Sequence, residues 1–170
     1  MSKGYPKLPS GYGATHDRHY IMDLRNGVVF DMPFPPVTYN ERPNTPAYSN
    51  DSIVGRSSQF VNYTASDNRS LSFDITIIDD YVDKPLTEVR DILASMEMPN
   101  YINYTITPPN VQVRLGKNVI RGVVSSITFA WSGVYRNGTP TILTASFEIR
   151  EARAVPLSSE QVRKGGWSNG

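Results

Sequence analysis

Between Leu71 and Ile77 every second residue is apolar: Leu71, Phe73, Ile75 and Ile77 alternate with Ser72, Asp74 and Thr76. A period of two puts the two sets on opposite faces of an extended strand, so one face must be covered and the other left polar. The pattern returns at Leu143, Ala145, Phe147 and Ile149, set against Thr144, Ser146, Glu148 and Arg150. Val111, Val113 and Leu115 alternate up to a turn at Gly116-Lys117-Asn118. Val119 to Trp131 is the longest strand candidate, with Val123, Ser125, Ile127, Phe129 and Trp131 expected on one face and Val124, Ser126 and Thr128 on the other. Asn137-Gly138 is a tight-hairpin signal between this strand and the one containing Leu143. A second hairpin is expected between Gln59–Tyr63 and the Leu71 strand, across the turn-forming Ser66-Asp67-Asn68-Arg69. Tyr101 to Thr107 reads as extended and ends at Pro108-Pro109. A mainly β, α+β fold follows.

One helix interrupts the strands. Leu86, Val89, Leu93 and Met96 recur at helical spacing after Asp83-Lys84-Pro85, and Pro99 stops the pattern. The spacing predicts a helix over about 86–97, roughly 16 Å long.

Residues 1–48 hold seven of the thirteen prolines and show no sustained period. Met32-Pro33-Phe34-Pro35-Pro36 is stiffened because proline fixes its own φ and biases the residue before it. Asn26-Gly27 can close a short hairpin between Tyr20-Ile21-Met22 and Val28-Val29-Phe30. The segment is too aromatic for an ordinary linker and reads as an extended N-terminal arm lying on a surface. Residues 49–155 form the expected β-domain, and 156–170 a polar, flexible C-terminal tail.

The 170 residues carry 17 basic and 16 acidic side chains, two His and no Cys. No disulfide framework, Cys-ligated zinc or Cys nucleophile is available. A net charge of +1 gives no general attraction to nucleic acid or to an anionic membrane, and no apolar run is long enough to span one. The chain is expected to be soluble and made in a reducing cytosol. Charge is uneven: Asp51–Met98 has four basic and nine acidic residues, and Pro99–Gly170 eight and three. That polarity suits either internal pairing or head-to-tail association of copies.

The chemistry-bearing residues do not assemble into a catalytic pattern. His16 and His19 are three apart in a stretch without helical period, so neither a metal site nor a His-based relay is expected. Asp79, Asp80 and Asp83 lie where the strand gives way to the helix and read as solvated charge there. No phosphate loop, cofactor motif or nucleophile elbow is present. Arg114, Lys117, Arg121, Arg136, Arg150 and Arg153 populate the later strands near Phe129, Trp131 and Tyr135. Basic residues beside aromatics can bind single-stranded nucleic acid, although the alternation of Phe129 and Trp131 with Ile127 favours a core role for both.

Ile53-Val54-Gly55-Arg56-Ser57-Ser58, Phe60-Val61-Asn62-Tyr63 and Arg69-Ser70-Leu71-Ser72-Phe73 together resemble the start of the β-domain of baseplate proteins from contractile phage tails and related injection systems. The helix ending at Met98-Pro99, the Pro108-Pro109 break, the Val111–Leu115 strand and the Gly138-Thr139-Pro140 turn are also similar to that domain, so the resemblance covers about residues 50–153. Members often carry a C-terminal LysM module, which these residues do not include. The resemblance implies a tail-tube-like β-sandwich or barrel with one flanking helix. It also implies a structural, non-enzymatic virion protein, made in the host cytoplasm and linking the tube or hub to surrounding baseplate (wedge) subunits and to copies of itself, in a hexameric ring. No cofactor, metal, membrane or specific nucleic-acid partner is expected. Phe30, Phe34, Tyr39 and Tyr48 in the arm and Trp167 in the tail are the expected contact residues. The alternatives are a β-barrel module binding single-stranded nucleic acid or glycan through Trp131, Tyr135 and nearby arginines, and a hydrolase built on Asp74 and Glu148.

Overall fold

The computed structural model describes residues 18–43, 46–51, 60–102, 105–152 and 159–164. Its strands are β1 (Tyr20–Asp23), β2 (Val29–Asp31), β3 (Tyr39–Arg42), β4 (Pro46–Asp51), β5 (Phe60–Ser66), β6 (Ser70–Ile78), β7 (Asn100–Ile102), β8 (Thr105–Thr107), β9 (Val111–Leu115), β10 (Asn118–Arg136) and β11 (Thr139–Glu151). Helix α1 spans Leu86–Ser95 and a short α2 spans Ser159–Arg163. Seven strands form one sheet in the order β2-β1-β9-β10-β11-β6-β3, while β4-β5 and β7-β8 are separate two-stranded ribbons. The fold is mainly β with one flanking helix, as the alternation requires.

The centre of the sheet is the segment with the strongest period. Leu71, Phe73, Ile75 and Ile77 of β6 stand opposite Ile149, Phe147, Ala145 and Leu143 of β11, and all eight are buried. Phe73 and Phe147 stack with centroids 5.4 Å apart. Leu86, Val89, Leu93 and Met96 of the helix and its last turn complete the same core. Their spacing puts them on one face, and burying such side chains contributes about 1.5–3 kcal/mol each. The helix proper ends at Ser95, slightly before the expected boundary; Met96, Glu97 and Met98 then donate to the carbonyls of Leu93, Ala94 and Ser95 in a tighter turn.

Strand β10 joins the two halves of the sheet. Asn118–Gly122 pairs with β9, and Gly122 onward pairs with β11. Gly122 sits at the change of partner, where an added Cβ would fall 2.0 Å from the Arg150 carbonyl oxygen. The sheet is strongly curled. Tyr39 on β3 is in register, through Phe73 and Phe147, with Ile127 of β10. Asn118 lies nine residues back along β10, about 30 Å away in a flat sheet. Yet Asn118 Nδ2 donates to Tyr39 Oη at 2.7 Å, so the β3 edge folds back over the β9–β10 turn and one core is enclosed.

The structure corrects several expectations. Residues 20–42, expected as part of an extended arm lying on a surface, are built into the sheet: β1, β2 and β3 pair within it, and Ile21, Phe30 and Met32 are at most 3% exposed. These apolar residues belong to the same buried cluster as the core side chains of β9 and α1. The Asn26-Gly27 hairpin forms as expected, with Ile21 opposite Phe30. Strand β5 pairs with β4 rather than β6, because both edges of β6 are taken by β11 and β3. In β10 a bulge between Val124 and Ser126 inserts one residue, which turns Val124 onto the core face with Ile127, Phe129 and Trp131 and puts Val123 outside. Tyr101–Thr107 is a hairpin, β7–β8, instead of one run.

One buried ionic clasp ties the N-terminal strands to the helix. Asp23 at the end of β1 is 1% exposed and accepts from Arg25 Nε at 3.0 Å and Nη2 at 2.8 Å. The same guanidinium donates to the carbonyls of Ser95 at 3.0 Å and Met98 at 2.5 Å. Arg25 thereby gives the Met98 carbonyl a partner and the Ser95 carbonyl, which also accepts from the Met98 N–H, a second one, and it places positive charge at the negative end of the α1 dipole.

Candidate interaction surfaces

The residues expected to touch partners fall in different environments. Phe30 is 1% exposed inside the protein's own core, so it is not a contact residue. Phe34 is half-buried and packs edge-on against Tyr81, centroids 5.0 Å apart. Tyr39, though partly exposed, spends its hydroxyl on Asn118. Tyr48 on β4 is exposed. Trp167 lies outside the described residues. Trp131 is packed against the core, whereas Tyr135 near the β10–β11 turn is 72% exposed.

Exposed apolar side chains concentrate where strands leave the main sheet. Tyr101 and Ile106 are directly opposite each other on β7–β8, 75% and 64% exposed, with exposed Met98 just before them. A cross-strand pair of this kind is normally buried on one face of a sheet. At the other ribbon, β10 and β11 run past the last pairing of β11 with β6, Ile142 to Ile78, and carry exposed Val134 and Tyr135. The turn is closed by Asn137 at φ 50° and Gly138 at φ 81°, the left-handed pair that a two-residue hairpin needs. Arg136 anchors this ribbon by donating to Asp80 at 2.8 Å, with Asp79 3.7 Å away. The Asp80 hydrogen bond, helped by the charges of both aspartates, holds the guanidinium pKa above its ordinary value. Asp79 and Asp80, in the turn that follows β6, therefore contact the hairpin through Arg136. Sequence reading missed the Tyr101–Ile106 pair because a single extended run does not bring the two together.

The outer face of the sheet is polar. Thr38, Asn40, Ser72, Asp74, Ser146 and Glu148 are among the residues that line an open groove there. Asp74 pairs in register with Ser146 and Glu148 with Ser72, so the two carboxylates sit diagonally on adjacent strands among hydroxyls. His19 is a structural acceptor, taking the Gly116 N–H at 3.2 Å on Nδ1; His16 lies outside the described residues. Among the described residues no three His, Asp or Glu side chains are grouped as a metal site requires, and no helix is long and apolar enough to cross a membrane.

Fold and surfaces together define, over the described residues, a mainly β protein with one helix, α1, packed on its core and apolar side chains displayed at the ends of strand pairs. No protein-family model matches the chain, and no curated protein matches it. Among solved structures it is similar to a chain of the anti-feeding prophage (AFP) baseplate, solved by cryo-EM with six-fold symmetrisation: 15% identity, 86% of this chain and 94% of that one covered, TM-score 0.43. It is also similar to a chain of the virion of a native gene transfer agent (GTA) particle, at 14% identity, with 82% and 95% covered and a TM-score of 0.40.

Proposed function

We propose that this chain is a structural, non-enzymatic component of a phage-tail-type baseplate, joining the tail tube or central hub to surrounding subunits, with its copies arranged in a ring. The observation that carries this reading is the display of Tyr48, Tyr101 and Ile106 on the two-stranded ribbons, and of Val134 and Tyr135 where β10 runs past the pairing of β11 with β6, all outside the core. Aromatic and aliphatic anchors of this kind supply most of the energy of protein interfaces. The resemblance of residues 53–73 to baseplate β-domains supports the same reading. Tyr39, Tyr48 and Trp167 are retained as proposed contacts, Tyr101, Ile106 and Tyr135 are added, and Phe34 contributes by fixing Tyr81.

The module for single-stranded nucleic acid or glycan is less well supported, because Trp131 gives its ring to the core and leaves Tyr135 without a second stacking surface. The test is composition: particles purified from the producing cells are probed for this chain by quantitative mass spectrometry. The proposal expects a fixed copy number per particle, a multiple of the ring order. Its absence from particles that are otherwise complete overturns the assignment.

A further inference from the structure

The arginines of the described sheet and of α1 divide into two groups. Arg18, Arg25, Arg69, Arg90 and Arg136 each face a carboxylate, on Asp31, Asp23, Glu41, Asp91 and Asp80 respectively. Arg42, Arg114, Arg121 and Arg150 form no ion pair among the described residues. Arg114 donates to the Gly116 carbonyl and Arg121 to the Gln112 side chain, both neutral acceptors.

Register places these four on one continuous face, although they are scattered in sequence. On β9, Val113 and Leu115 point to the core, so Arg114 points outward. Arg121 and Val123 are two apart on β10 on that same outer side, and Val123 stands opposite Arg150 of β11. Arg150 stands opposite Ser70 of β6, and Ser70 opposite Arg42 of β3. The row crosses the sheet through β9, β10, β11 and β3, with Arg150 and Arg42 two strands and so about 10 Å apart. Ser70 and Asn68 lie between or beside them in a shallow depression.

We infer that this row of arginines is a phosphate-tracking surface for the backbone of double-stranded nucleic acid, engaged without regard to sequence. The composition of the face selects that partner. Protein interfaces have an apolar, aromatic centre, whereas this face offers guanidinium, hydroxyl and amide donors. Those are the groups that contact phosphate and sugar in protein–DNA complexes. Single strands are bound largely by base stacking, and the one aromatic on this side of β1, Tyr20, is half-buried with its hydroxyl held by Gln112. Glu148 and Asp67 border the depression beyond ion-pair distance of either arginine and weaken the local field. Binding is therefore modest, on the order of 10–100 µM at physiological salt. The inference stands apart from the baseplate reading and would hold for any assembly through which a duplex passes.

The experiment uses the full chain and a labelled mixed-sequence 20-base-pair duplex, with the single strand of the same length and polyglutamate as comparison probes. Four phosphate contacts give a slope of about −3.6 in log affinity against log salt, which is about a 150-fold loss between 50 and 200 mM. Arg42→Gln with Arg150→Gln removes two guanidiniums that make no hydrogen bond among the described residues, so the fold is spared. The double variant is expected to halve the slope, while Arg136→Gln leaves it unchanged. Absence of duplex binding at 50 mM salt overturns the inference, as does undiminished binding by the double variant. Tighter binding to the single strand, or binding to polyglutamate in place of the duplex, overturns it as well and would assign the row to base stacking or to an acidic protein.

Discussion

Replacing Arg25 with alanine should destabilise the protein far more than the loss of one charge would indicate. The substitution removes both hydrogen bonds to Asp23 and both bonds to the carbonyls of Ser95 and Met98. Asp23, 1% exposed, would keep only the Arg25 backbone N–H among these partners, at 2.9 Å. Breaking a buried pair and leaving one charge behind costs about 3–5 kcal/mol, a large part of a total stability of roughly 5–15 kcal/mol. For a chain of this size that corresponds to a fall in Tm of roughly 6–20 °C. Urea denaturation followed by circular dichroism measures the loss directly, with the m-value checking that the transition remains two-state. Arg25→Lys keeps the charge but not the planar fork, and should fall between wild type and alanine. A loss below about 1 kcal/mol for Arg25→Ala, the level of an exposed pair, would refute the reasoning and return residues 20–31 to the status of a loosely attached arm.

Other substitutions separate core from surface. Gly122→Ala should cost about 3 kcal/mol or yield no soluble protein, since its Cβ would overlap the Arg150 carbonyl; denaturation midpoints or soluble yield read this out. Gly138→Ala meets no atom within 4 Å but keeps φ at 81°, so a milder loss of about 1–2 kcal/mol is expected from the melting curve. Phe147→Ala should cost about 3–5 kcal/mol by removing the ring that stacks on Phe73, measured in the same urea titration. Tyr101→Ser combined with Ile106→Ser should change stability by no more than about 0.5 kcal/mol while reducing incorporation into particles, as judged by immunoblot of purified material.

The parts legible in the sequence were those whose signal is local and long enough to repeat. Four alternating residues each in β6 and β11, and three helical positions in α1 with Met96 just after it, announce the buried face of each element. The Asn26-Gly27 and Asn137-Gly138 turns announce their hairpins through backbone chemistry alone. Strands β1, β2 and β3 have three or four residues each, too few for a period to stand out among prolines. Their partners are also remote, as the Gln112 bond to Tyr20 across 92 residues illustrates. The bulge near Ser125 left no trace in the pattern, because an inserted residue shifts the face without changing composition; its marker in the fold is the Ser125 hydroxyl donating to the Glu148 carbonyl at 3.0 Å. Arg25 carries no local signal, and only the end of α1, some seventy residues away, gives it a role. The exposed Tyr101–Ile106 pair and the row of arginines across the outer face depend in the same way on strand register.

Hydrogen–deuterium exchange on the free chain and on the chain within purified particles tests the central claim most directly. Ribbons β7–β8 and the outer part of β10–β11 have one partner strand each and should exchange quickly in the free chain, while the amides of β6 and of β11 beside it are protected in both states. The account predicts strong additional protection of the two ribbons in the particle, with no change in the β6–β11 centre. Equal exchange of the ribbons in both states would contradict it, because the displayed side chains would then have met no partner.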